Sequence, residues 1–267
     1  MIHDLKSLTS HLVGIAQEAG AFIHQEARAF DRSRVEYKDL NNLVSYVDKE
    51  TEKRLVERLS QLLPEAGFIT EEGTTDETAD ANGLNWIIDP LDGTTNFIHQ
   101  LPVYCVSVGL AERGRPIAGV IYDGNRREVF SAWEGGGAFC NDERIRVSPA
   151  QRLADSLIAT GFPYCRFEGM DNYLNILQAL MQQTHGLRRF GSAAIDLAYV
   201  ACGRFEAFYE YNLNSWDMAA GVVLVREAGG VVTDFEGGDQ FLFRGDVVAG
   251  GGMQAELVAV IQEYWNA

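Results

Sequence analysis

Residues 86–97 read WIIDPLDGTTNF, an apolar run that ends in two carboxylates. The apolar run predicts a buried strand, and Pro90 restricts the chain between Asp89 and Asp92. Gly93 permits a tight turn, after which the two threonines can begin a short helix. Such a strand end aims both acids into one cleft, where the N–H groups of the helix start would face an anion. A solvated Asx turn is the alternative, and this stretch alone leaves both interpretations open.

Two further acidic positions bear on that choice. Glu71 follows another predicted strand, and Asp217 lies just inside a predicted helix that begins SWDMAAG (215–221). Each also has a simpler interpretation, as a loop acid or as an acid favoured by the helix dipole. If Glu71, Asp89, Asp92 and Asp217 converge, their repulsion requires cations. Oxygen ligands without His or Cys select a hard ion, and we predict Mg²⁺. Several acids can hold two ions about 3.5–4 Å apart, the arrangement that clamps a phosphoryl group during attack by water.

The periodicity of apolar residues divides the chain of 267 residues into two halves. The first half contains two helical patterns and then a series of strands: helices over 2–23 and 44–62, and strands over 68–70, 86–88, 103–110, 117–122 and 128–133. The second half alternates strands with helices: strands over 157–158, 188–190, 205–210, 231–233 and 247–249, and helices over 173–180, 195–202, 216–228 and 253–264. No repeat or Pro-rich linker separates the halves. We therefore expect one α/β catalytic domain over 1–267. Its halves are 1–154, two helices followed by a mainly antiparallel meander, and 155–267, an alternating α/β layer.

Composition and short motifs exclude several classes of protein. A formal net charge of −16 disfavours direct nucleic-acid binding and adsorption to an anionic membrane. The sequence has no P-loop, GxSxG or HExxH motif. GGGMQA (250–255) fits the start of a dinucleotide site, but too few residues follow it for the rest of that unit, so we interpret it as a strand-to-helix turn.

The predicted location is the cytoplasm. The N-terminus lacks the basic start and uninterrupted apolar run of a signal peptide, and no apolar run is long enough to span a membrane. The four cysteines are far apart and fit no zinc or CxxC spacing. We therefore expect reduced, mostly buried thiols.

Taken together, DPLDGTTNF (89–97), the preceding EE (71–72) and WDMAAG (216–221) resemble the signatures of the inositol monophosphatase family. The resemblance extends over nearly the whole chain. Three further segments are most similar to the bacterial branch of the family: ATGFP (159–163), RRFGSAA (188–194) and REAGG (226–230). It implies a layered αβαβα sandwich, usually a homodimer, with Mg²⁺-dependent hydrolysis of phosphate monoesters and inhibition by lithium.

The resemblance also implies roles for individual residues. Glu71, Asp89 and the Leu91 carbonyl would hold a first metal ion, and Asp89, Asp92 and Asp217 a second, with Glu71 touching a weaker third ion. Thr94 and Glu71 would orient and deprotonate the attacking water, and the Gly93 and Thr94 amides would meet the phosphate. The residues that would contact polyol hydroxyls are Ala193, Glu210 and Asp217.

The mobile catalytic loop of the family is matched by Lys38 and Asp48. In that loop Asn42 stands where many members have Asp, and the loop is about one residue shorter. Asn keeps an oxygen ligand for a third ion but removes a charge, so affinity there is expected to differ.

Within this chemistry the sequence favours an inositol-1-monophosphatase. The polyol-contacting positions are too few to distinguish it from a fructose-1,6-bisphosphatase, a histidinol-phosphatase or a phosphatase of adenosine 3′,5′-bisphosphate. A different class also remains open, because a bacterial branch member is associated with the transcription machinery in ribosomal RNA antitermination. In that case Arg188 and Arg189 would lie near the surface for a protein partner, although a salt bridge or dimer contact is the simpler interpretation of this pair.

Overall fold

The computed structural model describes residues 4–30, 35–39, 42–76, 79–164 and 166–266, and for 35–39 and 42–43 it describes the backbone. The helices of these residues are α1 (Leu5–Ala27), α2 (Tyr46–Leu62), α3 (Thr94–Ile98), α4 (Met170–Gln183), α5 (Ala193–Ala201), α6 (Ser215–Glu227), α7 (Phe241–Arg244) and α8 (Gln254–Trp265).

The strands form two sheets and one separate hairpin. The first sheet has the order β3-β4-β5-β6-β7-β8-β9, the second has the order β11-β10-β12-β14-β13, and β1 pairs with β2. Their bounds are β1 (Val35–Asp39), β2 (Asn42–Ser45), β3 (Gly67–Thr70), β4 (Leu84–Asp92), β5 (Cys105–Glu112), β6 (Arg115–Asp123), β7 (Glu128–Trp133), β8 (Gly137–Cys140), β9 (Glu143–Ile145), β10 (Leu157–Thr160), β11 (Gly186–Arg188), β12 (Ala207–Glu210), β13 (Val231–Thr233) and β14 (Val247–Gly250).

The two sheets separate three helical layers, which confirms the expected αβαβα sandwich. Helices α1 and α2 cover one face of the first sheet, α5 and α6 lie between the sheets, and α4 and α8 cover the far face of the second. Alternation along the strands divides the core accordingly. In β5, Val106 and Val108 pack toward α1 and α2, whereas Cys105 joins the cluster between the sheets. In β10, Ala159 faces the middle layer, and Ile158 faces α4 and α8.

Glycines bring α6 unusually close to the first sheet. A Cβ atom at Gly119 in β6 would lie 2.6 Å from the Cα atom and 2.7 Å from the carbonyl oxygen of Ala220. At Gly109 in β5 it would lie 2.8 Å from the Cβ atom of Ala219. Because these neighbours include backbone atoms of the helix, they cannot turn aside. The position of α6 against the sheet is therefore set by the absence of two side chains.

Several predicted bounds were wrong. Val44 lies in β2, not in a helix, because Ser45 is the N-cap of α2. The strand predicted from Val103 begins at Cys105, and the extended piece predicted over 188–190 is instead β11, which ends at Arg188. The first half is antiparallel apart from β3, which pairs with β4 in parallel.

The described cysteines are free, and only Cys105 is buried, whereas Cys140 and Cys202 are half-buried. The expectation of mostly buried thiols therefore holds for one of the three, and Cys165 lies outside the described residues. Within the described part of the chain, no helix has the length and apolar character that crossing a membrane requires.

We predict that Gly119→Ala destabilises the protein by about 1–3 kcal/mol, because the added methyl group overpacks the contact between β6 and α6. Thermal unfolding measures the change. Gly14→Ala in α1 is the matched control, since its Cβ atom would meet no atom within 4 Å, and it is expected to leave the melting temperature unchanged or raise it. A melting temperature of Gly119→Ala equal to that of the wild type would contradict the close packing.

Candidate active site

A bulge at the end of β4 brings two acids onto one face of the sheet. Asp89 pairs with Ser107 and Asp92 with Cys105, so three steps along β4 correspond to two along β5. In a regular strand, residues three apart point to opposite faces. The extra residue restores a common face, which is the face toward α6, where Cys105 packs. The Asp-Pro-Leu-Asp sequence thus holds two carboxylates side by side.

The third acid comes from α6 across the middle of the molecule. Asp217 is the N3 residue of α6 and accepts a hydrogen bond from the Asn214 N–H at 2.6 Å, as in a capping box. One carboxylate oxygen from each of Asp89, Asp92 and Asp217 lies within 4.8 Å of the other two. Asp89 and Asp92 are buried, and Asp217 is partly exposed. The structure therefore brings together three of the predicted metal ligands.

Asp92 also connects the two halves of the chain. Its Oδ2 atom accepts hydrogen bonds from the Ser192 hydroxyl at 2.6 Å and from the Ala194 N–H at 2.7 Å, at the start of α5. The Ser192 hydroxyl in turn caps α5. The backbone N–H of Ala193 also acts on this carboxylate and lowers its pKa. Asp92 thus joins the start of α5 to the cluster of three acids.

Asp48 and Thr94 form a hydrogen-bonded pair beside the end of β4. The Thr94 hydroxyl lies 2.8 Å from Oδ1 of Asp48 and 3.0 Å from the Leu91 carbonyl oxygen. Asp48 is fully buried, and its Oδ2 atom accepts from the Ser45 N–H and hydroxyl in the capping box of α2. Burial raises the pKa of Asp48 above its usual value. These contacts fix the Thr94 side chain against the end of β4.

A cleft of about 370 Å³ contains the remaining candidates. It is lined by Glu71, Asp92, Gly93, Thr94, Ala193, Glu210 and Asp217 among others. Gly93 has a φ of 95° and precedes α3, and a Cβ atom there would also lie 2.8 Å from the Val103 carbonyl oxygen. Glu71 lines the cleft but is not part of the cluster of three acids.

The electrostatics of the cleft are unfavourable to its own carboxylates. Burial raises the pKa of Asp89 well above its usual value, and the Glu71, Asp92 and Asp217 carboxylates raise it further. Burial, followed by Asp92 and Glu71, has the same effect on the pKa of Asp217. Burial also raises the pKa of Asp92 to about 6 and that of Glu210 to about 8. The guanidinium of Arg189 acts in the opposite direction on these last two acids and lowers the pKa values of Asp92 and Glu210.

Two predicted loop residues cannot be placed. The side chains of Lys38 and Asn42 lie outside the described part of the structure, although their backbones belong to β1 and β2. Their assignment to a catalytic loop remains a prediction.

Sequence reasoning missed how the cleft wall is formed. Arg188 is exposed, but Arg189 turns into the cleft, where its guanidinium donates to the Tyr164 hydroxyl at 2.6 Å and lies over the Phe162 and Tyr164 rings. The two arginines therefore have different surroundings, which the sequence did not indicate. The contact between Ser192 and Asp92 was also missed. A serine before an apolar helical run indicates an N-cap, but only the fold shows that Asp92 joins it.

Comparisons with known proteins identify the family of this chain. The model of the inositol monophosphatase family matches residues 4–266. A Nus factor SuhB from Pseudomonas aeruginosa is 44% identical over 238 residues, which is 88% of each chain. An inositol-1-monophosphatase from Mesorhizobium japonicum is 41% identical over 244 residues, or 91% of each chain.

Solved structures give the same result. The extragenic suppressor protein suhB of Bartonella henselae has a TM-score of 0.90 at 40% identity, and the match covers 97% of this chain and 99% of that one. An inositol monophosphatase from Anabaena has a TM-score of 0.86 at 35% identity, with 98% of each chain covered. With its cluster of three carboxylates, this chain belongs to the inositol monophosphatase family.

Proposed function

We propose that the protein is a Mg²⁺-dependent phosphomonoesterase that acts on a polyol phosphate, and that inositol 1-phosphate is its substrate. The observation that carries this proposal is the cluster of Asp89, Asp92 and Asp217, whose ligand atoms lie within 4.8 Å of one another. The relatives named inositol-1-monophosphatase and inositol monophosphatase support the substrate class.

The residues of the cleft fit a hard divalent cation. The donors are carboxylate and carbonyl oxygens, which Mg²⁺ prefers, and the carboxylates repel each other without a cation. We assign Glu71, Asp89 and the Leu91 carbonyl to a first ion, and Asp89, Asp92 and Asp217 to a second, with a weaker third ion at Glu71. When bound, these ions would supply the positive charge that accepts a phosphate and acidifies a water molecule.

The side chains of Thr94, Asp48 and Glu71 would prepare the nucleophile. When the Thr94 hydroxyl donates its hydrogen bond to Asp48, its oxygen is left as an acceptor that can orient a water molecule in the cleft. Glu71 would take up the proton that this water loses. Because Asp48 is buried and fixed by Ser45, the orientation of Thr94 is set before substrate binds.

On the substrate side, the N–H groups of Gly93 and Thr94 would contact the phosphate. Ala193, Glu210 and Asp217 would contact polyol hydroxyls. Lys38 would belong with Asp48 to the catalytic loop. Of these residues, Gly93, Thr94, Ala193, Glu210 and Asp217 line the cleft described above.

Further parts of the proposal concern the protein as a whole. We propose that residues 1–267 form one catalytic domain, because Asp92 of the first half accepts a hydrogen bond from the Ala194 N–H in α5 of the second. A homodimer is supported by the exposed apolar side chains of Leu174 and Met181 on α4, which are 54% and 62% exposed.

Free cysteines support a cytoplasmic location. We also propose inhibition by lithium, with a sensitivity that Asn42 modifies.

A second candidate function is association with a protein of the transcription machinery. It is favoured by the relatives named Nus factor SuhB and by the exposed side chain of Arg188. The net charge of −16 favours a protein partner over direct contact with RNA.

Millimolar Mg²⁺ is expected to raise the melting temperature, because ions that bind only the folded state stabilise it by mass action. At a hundredfold excess over the Kd the gain is about 2.7 kcal/mol, or roughly 5–10 °C for a chain of this size. Differential scanning fluorimetry measures the shift, with NaCl of equal ionic strength and Asp217→Asn as controls. Equal shifts in both salts would contradict a carboxylate metal site.

Asp92→Asn should lower turnover of inositol 1-phosphate by about a hundredfold or more, since two-metal stabilisation of the transition state is worth several kcal/mol. The amide oxygen can still accept from Ser192 and Ala194, so the fold should persist. Asp123→Asn is the matched control, because Asp123 is also buried but pairs with Arg126 and does not line the cleft. A folded Asp92→Asn protein with undiminished turnover would overturn the two-metal assignment.

The binding function predicts the opposite pattern. Arg188→Ala should leave turnover within a factor of about two, since the side chain is outside the cleft, and should weaken capture of purified transcription factors several-fold if Arg188 forms a typical rim contact. Pulldown with immobilised protein measures this, and Asp92→Asn should bind as the wild type does. Unchanged capture by Arg188→Ala would contradict a role of this residue in partner binding.

A further inference from the structure

The carboxylate of Glu210 rests directly on the backbone of a neighbouring strand. Glu210 is the last residue of β12, which runs parallel to β10 with Tyr209 opposite Thr160. Gly161 follows Thr160 and therefore lies beside Glu210. A Cβ atom at Gly161 would be 2.0 Å from Oε2, 2.2 Å from Cδ and 2.2 Å from Oε1 of Glu210. The carboxylate thus occupies the space where any other residue at 161 would have its side chain.

The backbone of Gly161 does not itself require glycine. Its φ is outside the left-handed region, unlike that of Gly93 and Gly169. Its carbonyl oxygen accepts a hydrogen bond from the hydroxyl of Tyr173, a buried side chain that also contacts Thr160. The chain at Gly161 is therefore fixed and compatible with alanine. What alanine would lack is room for Glu210.

We propose that Gly161 is a positioning residue that seats the Glu210 carboxylate in the cleft and so sets the selectivity for hydroxyl-bearing phosphate esters. The inference rests on the proposed function, in which Glu210 contacts the hydroxyls of the substrate. A glutamate has three rotatable bonds, and holding it in one place before substrate arrives reduces the entropy lost on binding. Gly161 restricts the carboxylate on one side, and the carboxylate lines the same cleft as Arg189.

Gly161→Ala changes the position of Glu210 without changing the charge of the cleft. The expected result is a loss of about tenfold to a hundredfold in kcat/KM for inositol 1-phosphate, the effect of leaving a buried hydrogen-bonding group without its partner. Most of this loss should appear in KM. Hydrolysis of p-nitrophenyl phosphate, which has no hydroxyl group, should change by less than about threefold. The melting temperature should be unchanged or higher, because alanine reduces the entropy of the unfolded chain.

Variants of Glu210 show whether the effect passes through that residue. In a Glu210→Ala background, Gly161→Ala should cause no further change in kcat/KM for either ester. Glu210→Asp shortens the side chain by one methylene group and leaves room for the new methyl group, so Gly161→Ala should cost much less in that background. Gly14→Ala is the control for the substitution itself.

The outcomes distinguish the positioning role of Gly161 from the phosphatase activity itself. Equal losses for both esters, a loss that persists without Glu210, or no loss for inositol 1-phosphate would each overturn the positioning role while leaving the phosphatase in place. A wild-type protein that hydrolyses neither ester in Mg²⁺ would overturn the proposed function and this inference with it.

Discussion

Repulsion among carboxylates is the constraint on which the rest of the structure depends. Asp89, Asp92 and Asp217 come from two distant parts of the chain and place oxygens within 4.8 Å of one another. Burial and mutual repulsion raise the pKa values of Asp89 and Asp217 well above their usual range. Folding must therefore stabilise an arrangement that the acids themselves oppose. The bulge of β4, the start of α5 and the capping box of α6 are the local structures that do so.

The helices between the two sheets determine where the third acid lies relative to the other two. Helix α6 carries Asp217 at its N-terminus, and it can approach β4 only because Gly109 and Gly119 leave space for its backbone. Helix α5 packs against α6, where Gly221 lies against Leu197. The apolar middle of the molecule thus determines the position of the polar cleft at its edge. A change in core packing is expected to alter the distances between acids without touching any of them.

The fold was predictable where the apolar pattern is long and regular. Helix α1 and strands β4 to β7 follow from periodicity, because each buries one or both faces in the core. Val44 was misassigned since its apolar side chain fits the helical pattern of α2, whereas the Ser45 cap places it in a strand. The parallel pairing of β3 with β4 and the short helix α7 leave no periodic signal, because they depend on contacts that form only in the folded chain.

The candidate site divides in the same way. The acids of DPLDGTTNF and WDMAAG could be identified from the sequence, since carboxylates at strand and helix ends are a local pattern. The turn of Arg189 into the cleft could not, because it depends on the Tyr164 and Phe162 rings of another segment. The contact of Gly161 with Glu210 is also invisible in the sequence, where the two residues are far apart and glycine carries no side chain to suggest a role.

The acids of the site share a physical device. Asp48, Asp92 and Asp217 each use one oxygen to bind backbone N–H groups at the start of a helix, and Asp89 uses one to bind the Leu91 N–H. These contacts stabilise the charged form and fix each carboxylate in a single orientation. The second oxygen of Asp48 accepts from the Thr94 hydroxyl, and each of the other three acids offers one oxygen to the cluster. Because the structural and the chemical oxygen belong to the same side chain, replacement by asparagine can preserve the first contact and remove the charge of the second. Replacement by alanine would remove both, so only the asparagine series separates the stability of this fold from its chemistry.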